Sequence, residues 1–123
     1  MKHKRSDKVA ESIHEIISGI LSRGLNDPRI GFVTVVGVEV TIDLRMAKVF
    51  YTVIGDEAAQ KSSAAGLVSA SGYIRRELGK ELSLRHVPEI SFIYDHSQEY
   101  GSRIDSILKE IEHEHDGHNQ QDS

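Results

Sequence analysis

The chain has 123 residues, 38% of them hydrophobic and none of them cysteine, with a formal net charge of −4. That is enough for one lean α+β core and too little for two domains, and it excludes a disulfide framework and a Cys-based zinc site. No apolar run follows the basic start Met1-Lys2-His3-Lys4-Arg5 or approaches the roughly 20 residues of a membrane helix, so neither a secretory signal nor a membrane span is expected.

Val9, Ile13, Ile16, Ile17, Ile20 and Leu21 recur at helical spacing. Ser6 or Asp7 suits the start of this helix and Gly24 the position just past its end. Lys8, Glu11, Glu15 and Ser18 then face water, and His14 is expected on the surface or flank. Asn26-Asp27-Pro28-Arg29 reads as a turn. Phe32 to Ile42 reads as a long strand whose alternation changes phase, Val33 and Val35 on one face, Val36, Val38, Val40 and Ile42 on the other. A bulge near Val36-Gly37 would bring both sets to the core. Asp43-Leu44-Arg45 connects it to a second strand, Met46 to Ile54, making a hairpin.

Asp56 is a good cap for an Ala-rich helix over residues 57–69, with Leu67 and Val68 among its apolar positions. A second helical run carries Ile74, Leu78 and Leu82. Between the two lies Ala70-Ser71-Gly72, read as a kink, because glycine inside a helix costs about 1 kcal/mol relative to alanine. Pro88 breaks the pattern, and Ile90, Phe92 and Tyr94 alternate in a third strand, Glu89 to Asp95. Ile104, Ile107, Leu108 and Ile111 mark a last amphipathic helix from about Gln98 to Glu114. The order is α-β-β-α-kink-α-β plus a C-terminal helix, an α+β fold with a three-stranded sheet and its helices on one face. Residues 1–112 form the domain, and the acidic, His-containing tail 113–123 is expected to be disordered.

Charge is unevenly placed. Residues 99–123 hold seven acids and two bases, leaving thirteen bases against twelve acids in the body. Lys2, Lys4, Arg5 and Lys8 cluster at the start, and Arg75, Arg76, Lys80 and Arg85 follow the kink. Such patches attract phosphate locally, because distant acids are screened beyond about 8 Å. A basic helix end is also a common solvated face. Catalytic signatures are missing: there is no Gly-rich phosphate loop, no nucleophile elbow and no zinc-protease motif. His86 and His96 flank the third strand, as an acid/base pair or as plain strand-end residues. His113-x-His115-x-x-His118 lies in a polar tail whose ordering opposes metal binding, so no metal or other cofactor is assigned.

The kink carries more. Taken alone it is an ordinary helix corner. Tyr73, Arg75, Arg76 and Lys80 beside it make it a candidate phosphate-binding surface, on which Tyr73 either stacks on a base or joins the core.

The element order is that of a type II KH domain, and the sequence resembles the ribosome-binding factor A family from about residue 5 to 108. The matching segments are Asp27-Pro28-Arg29-Ile30-Gly31, Gly37-Val38-Glu39-Val40 with Asp43-Leu44 and Ala47-Lys48-Val49, Ala70-Ser71-Gly72-Tyr73-Ile74-Arg75 with Leu78-Gly79-Lys80, and Leu84 through Asp95. The resemblance implies that an Ala-x-Gly kink, here Ala70-Ser71-Gly72, replaces the Gly-x-x-Gly loop with which ordinary KH domains clamp a single strand. It also implies a cytoplasmic, non-enzymatic, late maturation factor. Such factors bind free 30S subunits or precursors, assist processing of 16S rRNA near its 5′ end, serve growth in the cold and leave before subunits join. A maturation GTPase promotes release in some members. A monomer is expected, and the short acidic C-terminus departs from longer family tails.

The expected RNA-binding residues are Lys2, Lys4, Arg5, Lys8, Arg75, Arg76, Lys80 and Arg85, with Arg29, Arg45 and Lys48 secondary and Ala70, Ser71, Gly72 and Tyr73 shaping the surface. The alternatives are a generic KH single-strand binder, a small ribonuclease using His86 and His96, and a protein adaptor using the sheet surface.

Overall fold

A computed structural model describes residues 4–97 and 107–111. Its elements are α1 (Lys4–Arg23), β1 (Val33–Val40), β2 (Met46–Val53), α2 (Glu57–Glu81) and β3 (Glu89–Tyr94). Residues 107–111 are helical, inside the expected C-terminal helix, and their side chains are exposed. The remainder of that helix and the tail 113–123, with its three histidines, lie outside the described residues.

Helix α1 buries Ile13, Ile17 and Ile20, each of which contributes on the order of 2 kcal/mol. It begins before the Ser6-Asp7 pair expected to cap it. Ser6 is buried, and Asp7 sits in the first turn, where its charge meets the positive end of the helix dipole. Gly24 follows the last turn at φ +87°, its N–H donating to the Leu21 carbonyl at 3.1 Å, as the sequence predicts. His14 differs from expectation. It is half-buried, with Nε2 3.1 Å from the Val35 carbonyl oxygen, so it ties α1 to β1.

The hairpin carries the expected bulge, a register shift between Val35 and Gly37. Val35 before it, and Val38 and Val40 after it, reach the core. Val36 and Ile42 do not: Val36 is the outward residue at the bulge and Ile42 lies past the strand's end. Strand β3 pairs parallel to β2, giving the sheet order β1-β2-β3. Ile13, Ile17 and Ile20 of α1 and Ile74 and Leu78 of α2 meet Val35, Ala47, Val49 and Ile90 in one core on one face of the sheet. Tyr51, Val53 and Leu67 form a second cluster, with Tyr51 edge-on to Phe92 and Tyr94.

Asp56 caps α2, accepting from the Ala59 N–H at 2.9 Å. The two helical runs expected on either side of Ala70-Ser71-Gly72 are one uninterrupted helix of 25 residues, which corrects the expected break. Leu67, Ile74 and Leu78 are all fully buried and recur at i, i+7, i+11. One helix keeps them on a single stripe, which outweighs the ~1 kcal/mol cost of one interior glycine. Ser71 fits the same helix by donating its hydroxyl to the Leu67 carbonyl at 3.1 Å. Val68, expected among the apolar helix positions, is exposed.

Candidate nucleic-acid interface

Strands β1 and β2 are antiparallel and β2 and β3 parallel, so the β1–β2 turn and the loop entering β3 lie at the same end of the sheet. The Glu89 N–H joins them, donating to the Arg45 carbonyl at 2.8 Å. The start of α1 reaches the same end. There Arg5, Arg45 and Arg85, distant in sequence, line one cleft of about 260 Å³ with Asp43, Leu44, Leu84 and His86.

The turn that holds Arg45 is rigidly made. The Thr41 N–H donates to the Met46 carbonyl, its carbonyl accepts from the Leu44 N–H, and its hydroxyl donates to Asp43 Oδ1 at 2.7 Å. The same carboxylate oxygen accepts from the Arg45 N–H at 3.1 Å. Leu44 takes φ +61°, a strained value that this network imposes. The Thr41 hydroxyl first, and the Arg45 N–H second, hold the Asp43 carboxyl below its ordinary value, so it stays ionised. It is nonetheless outnumbered, one carboxylate against three guanidinium groups. The Arg45 side chain is 85% exposed and only 4.0 Å from Asp43 at its nearest, leaving most of its donors to an incoming anion.

Arg75, an expected phosphate contact, is exposed and also spends two donors within the fold. Its Nη2 donates to the Val87 carbonyl at 3.0 Å and its Nε to the Pro88 carbonyl at 3.3 Å. It therefore ties the loop carrying Arg85 and His86 to α2. Tyr73, Arg76 and Lys80 are exposed and spaced i, i+3, i+7, a ridge on the solvent side of α2. Lys80 pairs with Glu77 at 2.8 Å, which raises its pKa and keeps it cationic. Ala70 and Tyr73 line a second cleft, against Gly24 to Asp27. Gly72 is exposed, and a Cβ added there would meet only the tip of Arg76 at 3.9 Å.

The other candidates lie apart. Lys4 and Lys8 are exposed on the first turns of α1, and Lys2 lies outside the described residues. Lys48 stands opposite Glu39 on the sheet face away from the helices. Arg29 is bound by Asp27, at 3.0 Å from Nε and 2.7 Å from Nη2. His86 and His96 lie at opposite ends of β3, whose six residues alone span about 20 Å, so they do not share a proton. His96 instead tilts against Tyr94.

Sequence reading placed one residue elsewhere and missed another. His86 belongs to the arginine cleft, and only the parallel pairing of β2 and β3 reveals it. Gly66 is buried, and a Cβ there would fall 2.5 Å from Ile30 Cγ1. The backbone of α2 and the Asp27–Gly31 segment thus approach closely, with Ser62 and Ser63 hydroxyls donating to the Arg29 carbonyl.

The family model described as Ribosome-binding factor A matches residues 5–108. A Ribosome-binding factor A of Trichlorobacter lovleyi is 67% identical over 122 residues, 99% of each chain. That of Geobacter sulfurreducens is 58% identical over 110 residues, 89% of this chain and 93% of its own. A Thermotoga maritima structure assigned as a ribosome binding factor A superposes with a TM-score of 0.65 at 32% identity, over 72% of this chain and 85% of that one. The Thermus thermophilus factor, fitted as a homology model into a map of a 30S complex, shares the fold at a TM-score of 0.56 and 20% identity, over 75% of this chain and 92% of that one. The chain belongs to the ribosome-binding factor A family.

Proposed function

We propose that this member of the ribosome-binding factor A family binds free 30S subunits or their precursors through folded 16S rRNA and makes or breaks no bond itself. The observation that carries the reading is the convergence of Arg5, Arg45 and Arg85 in one cleft. Guanidinium groups fixed by a turn, a loop and a helix start match the forked geometry of phosphate oxygens and position a protein on RNA without reading its sequence. The 30S complex of the Thermus thermophilus relative supports the same partner.

The unbroken α2 favours this over a generic single-strand binder, because it offers no loop to clamp four nucleotides. The factor acts by steering. It binds one rRNA conformation better than another and shifts the population by that difference. In this reading it assists late 16S maturation and 5′-end processing, supports growth in the cold, works in the cytoplasm as a monomer, and is released before subunit joining with help from a maturation GTPase.

Sedimentation of the full chain with separated 30S, 50S and 70S particles tests the proposal. Recovery with 30S alone is expected, and equal recovery with all three, or with none, would overturn it. With about five phosphates neutralised, the log-log dependence of affinity on salt has a slope of roughly −4. Salt-independent binding would remove the electrostatic account.

A further inference from the structure

We propose that the cleft between the α1–β1 loop and the middle of α2 takes a single unstacked RNA base, with Tyr73 as its stacking platform and the Asn26 side-chain amide at its edge. The inference deepens the RNA reading and rests on it, naming the part of the nucleotide recognised at a place distinct from the arginine cleft.

The cleft holds about 400 Å³, room for a base and its ribose and far more than one ordered water occupies. Its walls combine what a base needs. Leu25 and Ala70 supply half-buried apolar surface, and Asn26 is exposed. An amide both donates and accepts, so it matches the paired donor and acceptor on a base edge. Gly24, at φ +87°, leaves one side open, with no atom within 4 Å of where a Cβ would stand.

The acid in the cleft does not repel RNA, because Asp27 is already engaged. Its Oδ1 accepts from the Arg29 N–H and Nε at 2.9 and 3.0 Å, and its Oδ2 from Nη2 at 2.7 Å. The exposed Ser69 and Tyr73 are the remaining walls. Phe92 and Tyr94 both pack against Tyr51, whereas Tyr73 is 44% exposed and touches no other ring among the described residues. Arg76 and Lys80 continue from it along the same face within about 10 Å. An aromatic platform followed by cations is the arrangement that binds an unpaired nucleotide, base on the ring and phosphates on the charges.

The test is NMR titration of the full chain with adenosine monophosphate, with ribose 5-phosphate, and with a short single-stranded RNA. Adenosine monophosphate should move the Asn26 side-chain amide, the Ala70 methyl and the Tyr73 ring by ring-current shifts. Ribose 5-phosphate should leave them in place. Tyr73→Leu should abolish the shifts and Tyr73→Phe keep them, both with native dispersion, since Tyr73 is an exposed residue. The RNA should bind on the order of tenfold or more tighter than the mononucleotide, through Arg76 and Lys80.

Equal shifts from ribose 5-phosphate, no shifts at saturating nucleotide, or full shifts in Tyr73→Leu would each overturn the base site. RNA binding no tighter than adenosine monophosphate would overturn its assignment to RNA and leave a free-nucleotide site. Failure to sediment with 30S particles counts against the ribosomal reading alone, because none of these titrations contains a ribosome.

Discussion

Gly66 and Gly72 stand six residues apart on α2 and meet opposite surroundings. Gly66 lies beneath Ile30, in the half of the helix where Ser62 and Ser63 hold the Arg29 carbonyl and Ser63 accepts the Gly31 N–H at 3.1 Å. Gly72 lies in the half whose outer side carries Tyr73, Arg76 and Lys80 into solvent. One glycine is there because a neighbouring segment leaves no room for a side chain. The other has room, and Tyr73, Arg76 and Lys80 near it are exposed. The same residue type in the same helix therefore answers to packing in one place and to exposure in the other.

The largest expected effect breaks the packing half. Gly66→Ala puts a methyl into the branched Ile30 side chain close to its backbone, which the loop can relieve only by moving. A loss of about 2 kcal/mol is expected in urea denaturation. Stability unchanged within 0.5 kcal/mol would show that the Asp27–Gly31 segment shifts freely, and the contrast between the two glycines would disappear.

Arginines 75 and 76 sharpen the contrast in the other half. Arg75→Ala removes two hydrogen bonds to the β3 loop and should cost about 1 kcal/mol, while also loosening Arg85 and His86. Arg76→Ala should leave stability alone and reduce the salt slope of 30S binding by about 1. Reversing both charges together confounds the two effects, so the single variants carry the test. Equal stability of the two variants would remove the anchoring role of Arg75.

Gly72→Ala should stabilise the protein by about 0.5–1 kcal/mol, read as a higher urea midpoint at constant slope. A loss would mean that the backbone at Gly72 needs a conformation only glycine adopts, a bend within the continuous helix.

These residues also show what the sequence made legible. Periodicity placed the core of α1 and α2, alternation placed three strands, and the phase change at Val36-Gly37 located the bulge, because each signal is local. The fate of a glycine or an arginine is not local. Gly66 is constrained by a segment more than 30 residues away, Arg75 by a loop 12 residues on, and Arg5, Arg45 and Arg85 meet only because β3 runs parallel to β2. Motif resemblance pointed to Ala70-Ser71-Gly72, and Ala70 with Tyr73 does line a cleft. Its opposite wall, Asn26, carried no sequence signal beyond a turn.

The smallest expected effect concerns the clamp that holds the loop over Gly66. Two side-chain hydrogen bonds from Arg29, then its backbone N–H, lower the Asp27 pKa from 3.8 to about 2. A depressed carboxyl pKa favours the folded state above the unfolded value, so the contribution is complete above about pH 4 and fades as the pH falls through 2. An NMR titration of the Asp27 carboxyl carbon should give a midpoint near 2 in the native chain and a higher one in Arg29→Gln, still below 3.8 because the N–H of residue 29 remains. In that variant the Gly31 amide, held by Ser63 beside the clamp, should exchange faster, while the amides around Gly72 keep their native rates. Faster exchange at both places would mean that α2 responds as one unit and that its two halves are not energetically distinct. A midpoint unmoved by losing the guanidinium would place the depression in the turn's backbone, leaving Arg29 available to RNA.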